Sequence, residues 1–170
     1  RSLEDGDYAT KVASVDNGCD QAHPDLEFTD GIDVVDEDSL ASHPAGSRDG
    51  HGTACAGVVA AKTNNATGIA GTCPECSLSC IRLLSDGGPV PIGADINAFN
   101  YALNSGASVM SNSWGFVDAI PVPAPLRDAI ITVFDEGRGG LGTVVVFAGG
   151  NDGREIGAEE LLAVRGVLGV

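Results

Sequence analysis

The chain has 170 residues, a formal net charge of −15 and a sequence pI near 4.2. Nine Lys and Arg against 24 Asp and Glu exclude a phosphate-binding surface, so no nucleic acid is expected as a partner. No apolar run approaches the roughly 20 residues that cross a bilayer, so no membrane insertion is expected either.

Length allows one domain. With 43% hydrophobic residues, only 5% aromatics and 24 glycines, the composition suits buried parallel strands under helices, and the fold class expected is α/β. The acidity fits a soluble secreted or salt-adapted protein, or alternatively one that attracts cationic peptides. The chain begins with Arg1 and a polar stretch without a signal-peptide pattern, so a trimmed product that has lost a secretion signal or pro-segment is the expectation.

In chain order, Lys11 to Val15 predicts a strand that closes on the turn Asp16-Asn17-Gly18. Residues 27 to 50 are acidic and rich in Gly, Ser and Pro, and predict a long surface connection. From His51 to Ala61 the residues are small and apolar on all sides, which predicts a buried helix presenting His51 in its first turn. A Thr/Asn/Gly loop follows. Ser77 to Leu84 predicts a strand, and Ile96, Phe99 and Leu103 mark one face of a helix stopping at Gly106. Ala107 to Ser111 predicts the next strand. Pro125 opens a helix with Leu126, Ala129, Ile130, Val133 and Phe134 on its apolar face, ended by Gly137. Thr143 to Ala148 and Leu161 to Val170 predict two more strands. This alternation implies right-handed crossovers, with helices on both faces of a mostly parallel sheet and ligands gathered at the carboxyl ends of its strands.

Five cysteines, at 19, 55, 73, 76 and 80, leave at least one outside any intrachain pairing. Cys73-Pro-Glu-Cys76 reads as a short disulfide, a redox dithiol or half a zinc site. The histidines are not spaced to complete a zinc site, so a structural staple in an oxidising compartment is expected, with free thiols the alternative.

Asp16, His51 and Asn151 all fall where such a sheet builds a site. A buried Asp orients a His imidazole so that its second nitrogen can take a proton from a serine, and an Asn amide can bind the oxyanion that then develops. Singly, His51 is an ordinary helix N-terminal histidine and Asn151 an ordinary turn residue; their order along the chain gives them weight. VASVDNGCDQAHPDL, DGHGTACAGVVAA, SNSWG and VVVFAGGNDG resemble the aspartate, histidine, substrate-strand and oxyanion motifs of the subtilisin-like serine peptidases, the subtilases. The resemblance covers Lys11 to about Asn151.

It implies a three-layer subtilisin-like α/β fold, incomplete on its C-terminal side, in which residues 1 to 170 are the N-terminal part of a single peptidase domain. By the same resemblance Asp16 is the orienting carboxylate, His51 the general base and acid, and Asn151 the oxyanion donor. Ser113, Trp114 and Gly115 pair with a peptide substrate. Ala148, Gly149 and Gly150 wall the pocket for the residue preceding the cut, and Leu84 with the stretch from Ser85 to Gly88 forms the other rim. Asp152 at the mouth points to basic or polar side chains there. Asp25, Asn65 and the carbonyls of Thr67 and Ile69 resemble the family's calcium ligands. Cys55, one turn past His51, matches a position where a cysteine makes some subtilases sensitive to mercurials, and also suits a small buried apolar site.

The family's Gly-Thr-Ser segment does not occur here, and Ser14, Ser39, Ser42, Ser47 and Ser113 fall in strands or the acidic loop, so none is a nucleophile. The expected activity is serine endopeptidase cleavage of a peptide or protein substrate, the serine lying on a C-terminal companion segment or chain and the setting secreted or extracytoplasmic. The alternative is a non-catalytic peptide-binding or inhibitory module. A nucleotide-binding domain is disfavoured, because no Gly-rich phosphate loop follows the first strand.

Overall fold

Strand β1 (Lys11–Asp16) occupies the middle of a six-stranded sheet because nearly every residue of KVASVD after the first is buried, on both faces. The computed structural model describes residues 6–39, 41–42, 50–85 and 90–170. The other strands are β2 (Phe28–Asp33), β3 (Ser77–Arg82), β4 (Val109–Asn112), β5 (Val144–Phe147) and β6 (Val167–Gly169), in the order β2-β3-β1-β4-β5-β6. All five strand pairings are parallel. From β1 the chain crosses to the edge strand β2, returns to β3 beside β1, and then crosses to the other side of β1 to build outward through β4, β5 and β6. The order therefore reverses beside β1, and the crevice outside its carboxyl end is where such a sheet takes ligands.

Helices cover both faces. Helix α1 (His51–Ala60) packs on Val12 and Leu78, while α2 (Ala94–Ser105) and α3 (Ala124–Gly140) share the opposite face with Ala13, Val15, Met110, Val145 and Phe147. Phe99 and Phe147 are fully buried in this second core with ring centroids 6.3 Å apart. Each such buried ring contributes roughly 1.5–3 kcal/mol. Left-handed Gly106 caps α2, and the regular part of α3 ends at Gly137, where a side chain would meet Thr143 at 2.2 Å.

Three sequence expectations need correction. The connection over residues 27 to 50 contains β2, whose sequence FTDGID lacks clean alternation because it is an edge strand, irregular at Phe28/Asp30 and joined to β1 through a Lys11–Asp30 ion pair. Helix α1 is buried only along Gly52, Ala56 and Ala60, which face the sheet; Ala54 and Val58 on its outer side are exposed, no other described element covering them. The stretch Leu161 to Val170 is a 3₁₀ turn at Leu161–Ala163 followed by β6, separated at Gly166, whose φ of +89° and contact with the Phe134 ring admit no side chain.

Two disulfides fasten the frame. Cys19–Cys80 ties the loop after β1 to β3 across 61 residues, with both cysteines fully buried, whereas Cys73–Cys76 closes a separation of three at the entry to β3. Cys55 is free. Chain entropy scales with the loop enclosed, so replacing Cys19 and Cys80 by Ser should lower unfolding stability by about 2–5 kcal/mol, and the same change at Cys73 and Cys76 by less than about 2 kcal/mol. Urea denaturation of the two double variants checks the ranking.

Candidate active site

The parallel register sets the ends of three strands side by side. Val15 is level with Asn112, and Asn112 with Phe147, so Asp16, Ser113 and Ala148 emerge together at the carboxyl edge of β1, β4 and β5. Residues distant in sequence thereby line one crevice.

Asp16 is 1% exposed, and its carboxylate accepts the Asn17 N–H at 2.8 Å. His51 Nδ1 lies 2.8 and 3.0 Å from the two carboxylate oxygens. A carboxylate only accepts in such a bond, so Nδ1 carries a proton, and in the neutral ring Nε2 is the nitrogen with the lone pair. The imidazole is otherwise open, with 58% of its side chain exposed. Buried base-orienter and exposed base are the arrangement that general-base catalysis needs.

Gly52 and Asn17 hold α1 in place for this contact. A methyl group at Gly52 would stand 2.3 Å from the Gly18 carbonyl oxygen and 2.9 Å from Asp16 Cβ, so only glycine lets the helix start approach β1 this closely. The Gly52 N–H donates to Asn17 Oδ1 at 2.9 Å, satisfying one of the unpaired donors of the first turn. Neither role is legible from Asn17 as a bare substitution after the aspartate.

Cys55 Sγ sits 3.8 Å from His51 Nδ1 and interacts with Ser113. Burial pushes its thiol pKa up, and the Asp16 charge adds to that, so the group is held as the neutral thiol rather than the reactive thiolate.

The substrate-strand residues continue from β4. Trp114 Nε1 donates to Asn112 Oδ1 at 3.3 Å, and its ring meets Phe147 edge-on with centroids 5.1 Å apart. Asn112 is 2% exposed and donates from Nδ2 to the Val146 carbonyl at 3.0 Å, locking β4, β5 and the tryptophan into one unit. Sequence reasoning missed Asn112, although a polar residue within an apolar strand was the available signal.

Gly115, Ala148, Gly149, Gly150 and Asp152 line one small cavity past the ends of β4 and β5, so the structure brings the expected pocket residues together. Asn151 lies within this same segment and is exposed. Leu84 packs against the core beyond β3, with Ser85 beside it; the rest of the expected rim, from 86 to 88, and Ser47 fall outside the described residues.

The Asp25 loop forms a separate cluster. Asp25 is buried, accepting Asn65 Nδ2 at 2.6 Å and the Ile69 N–H at 3.0 Å, while Asn65 Oδ1 accepts the Thr67 N–H at 3.1 Å. Gly68 folds so tightly over it that an added Cβ would stand 2.1 Å from Asp25 Oδ2. The Asn65 amide, helped by the Ile69 N–H and by His23 and Lys62, holds the Asp25 carboxyl below the usual carboxylate range against the opposing effect of burial. A carboxylate, an amide oxygen and backbone carbonyls are the donor types a calcium ion takes; here the Asn65 amide presents Nδ2 to Asp25, and its Oδ1 accepts from the Thr67 N–H.

Sequence reasoning also missed Arg82, whose Nη1 bridges buried Asp33 and exposed Asp36 beside β2. Its signal was spread over residues too far apart to link without the β2–β3 pairing.

An imidazole held by a buried carboxylate at the ends of parallel strands is a geometry that general-base chemistry can use. The chain belongs to the subtilase family, whose profile matches residues 7–166. It is 40% identical to thermitase of Thermoactinomyces vulgaris over 145 residues, 84% of this chain and 48% of that protein. It is 35% identical over 146 residues to the major intracellular serine protease of Bacillus subtilis, covering 84% of this chain and 43% of that one. With a calcium-dependent protease of Nostoc it shares 31% identity across 99% of its own length and 27% of the relative's. The chain thus spans about half or less of the length of these relatives. The fold is shared with the Aeromonas sobria serine protease solved in complex with its chaperone, at a TM-score of 0.70, 24% identity, and coverage of 91% of this chain and 27% of that one.

Because the folded Asp25 titrates below its unfolded value near 3.9, its contribution to stability is complete above that value and is lost as pH falls through the lower, folded one. Asp25→Asn should accordingly be less stable than the parent at pH 7, with the gap closing below about pH 4. Denaturant midpoints of both proteins across that range check it.

Proposed function

We propose that these residues are the N-terminal part of a single subtilase peptidase domain that hydrolyses peptide bonds, with Asp16 holding the imidazole, His51 moving the proton and Asn151 donating to the oxyanion. The observation that carries this reading is the Asp16–His51 contact at 2.8 Å, with the rest of the imidazole open to the crevice. The nucleophilic serine lies on a companion segment or chain outside these residues; its characteristic segment occurs nowhere in the 170. His51 Nε2 takes the serine proton as the hydroxyl attacks the peptide carbonyl, returns it to the leaving amine, and repeats the sequence with water to release the acyl-enzyme.

Ser113, Trp114 and Gly115 pair with the substrate backbone as an added strand, giving affinity that tolerates varied sequences. Ala148, Gly149 and Gly150, with Asp152 and Leu84 at the edges, receive the side chain before the cut. The two disulfides support a secreted or extracytoplasmic setting. A pro-segment or chaperone is the expected folding companion. Asp25, Asn65, Thr67 and Ile69 hold a calcium ion, which would cross-link the loop to the segment before β2 and supply stability rather than chemistry.

Mixing or co-expressing this chain with the segment that follows it, then treating with a fluorophosphonate probe, should label a serine in the companion. Asp16→Asn should slow turnover about 10⁴-fold, and removing the Asn151 amide by Asn151→Leu about 10²–10³-fold. Peptide binding without labelling, in a folded complex, would favour a non-catalytic peptide-binding module instead.

Calcium at a hundredfold excess over its dissociation constant should raise stability by about 2.7 kcal/mol. Thermal melts with calcium and with chelator read this directly, and Asp25→Ala should abolish the difference; indifference of the parent to calcium would remove the metal from the account.

A further inference from the structure

The cavity beside Gly149 and Gly150 is small, about 50 Å³, room for no more than a few waters. Its far wall is a charged clamp. Arg154 donates from Nη1 to Glu160 Oε1 at 2.9 Å and from Nη2 to Oε2 at 2.5 Å, and the Gly157 N–H donates to Oε1 at 2.6 Å. The two ends of the 154–160 loop are therefore tied to each other and to its middle. Glu160 is only 12% exposed and Arg154 33%, so the pair is partly withdrawn from solvent. Leu161 and Leu162, just beyond, complete an apolar floor with Ile156.

We infer that the Arg154–Glu160 clamp limits this pocket to a small uncharged side chain, making the pair specificity-determining for the residue before the scissile bond. The inference rests on the peptidase reading above, which places that residue at Ala148–Gly150. A Leu or Phe side chain exceeds the space and must push the clamp aside, breaking two charge-assisted hydrogen bonds and leaving partly buried charges unpaired. A Lys side chain meets Asp152 at the mouth, but its length exceeds the space as Leu and Phe do and displaces the same clamp. Ala or Ser fits with the clamp intact. Cationic attraction by the molecule as a whole, with its net charge of −15, then acts on encounter rather than on this pocket.

Trp114 is the sole tryptophan and immediately precedes Gly115 of the pocket, so its fluorescence reports occupancy without catalysis. Acetyl-Thr-Val-Thr-Xaa amides, with Xaa as Ala, Ser, Leu, Phe or Lys, would be titrated into the chain. Ala and Ser peptides should bind at least about tenfold more tightly than the other three. Arg154→Ala should shift the ratio of Leu to Ala binding about tenfold toward Leu. Equal binding of all five peptides, or tighter binding of Leu, Phe or Lys, would overturn the clamp's role while leaving the peptide-binding strand standing. Failure of every peptide to bind would overturn the peptidase reading of this crevice, and the inference with it. Should Arg154→Ala not fold, the parent series alone decides.

Discussion

A carboxylate buried at the end of a central strand must find hydrogen-bond donors, and those of Asp16 include the neighbouring Asn17 N–H and the His51 ring. The rest of the site depends on that requirement. It fixes which ring nitrogen is protonated, points the other outward, and anchors the first turn of α1 over the crevice. The approach is close because Gly52 has no side chain to strike the Gly18 carbonyl. Asn17 adds a second tie at the same point, from side chain to helix N-terminus. A helix start held by two independent polar contacts and one steric allowance has little freedom to turn the imidazole away.

Parallel pairing extends this local constraint into a working surface. Because β1, β4 and β5 run in register, the segments leaving them are delivered at one level, and the stretches after β4 and β5 need no long loops to reach the crevice beside the imidazole. Asn112 gives the arrangement rigidity, accepting from Trp114 and donating to β5. The disulfide between Cys19 and Cys80 fastens the other side of β1, so the strand bearing Asp16 is braced from both neighbours. Cys55, under the imidazole, is held neutral by burial and adds no competing charge beside the Asp16–His51 pair.

Much of this was legible in the amino-acid sequence, for reasons that differ by element. β1 is a short, mostly buried strand and β5 a continuous apolar run with Val145 and Phe147 turned into the core, while α2 and α3 carry regular apolar stripes ended by glycines, so local pattern and tertiary role agree. β2 was illegible because an edge strand is specified by its neighbour: FTDGID has no period of its own, and its charges are answered by Lys11 and Arg82 from other strands. α1 misled because uniform small apolar residues signal burial without saying which parts of a chain supply it. At the site, Asp16 and His51 were legible through their motifs, whereas Asn17, Gly52 and Asn112 act through contacts that exist only once the strands are paired. The Cys19–Cys80 bond belongs to the same group, since a separation of 61 residues carries no local signature.

The orientation of one imidazole by one carboxylate is the claim on which the account stands, and nitrogen-15 NMR of the histidine rings tests it without any serine. With Asp16 in place, His51 at neutral pH should show the Nδ1–H tautomer, a strongly deshielded ring proton, and loss of both in Asp16→Asn. A His51 ring carrying its proton on Nε2, or one indifferent to the Asp16 substitution, would contradict it.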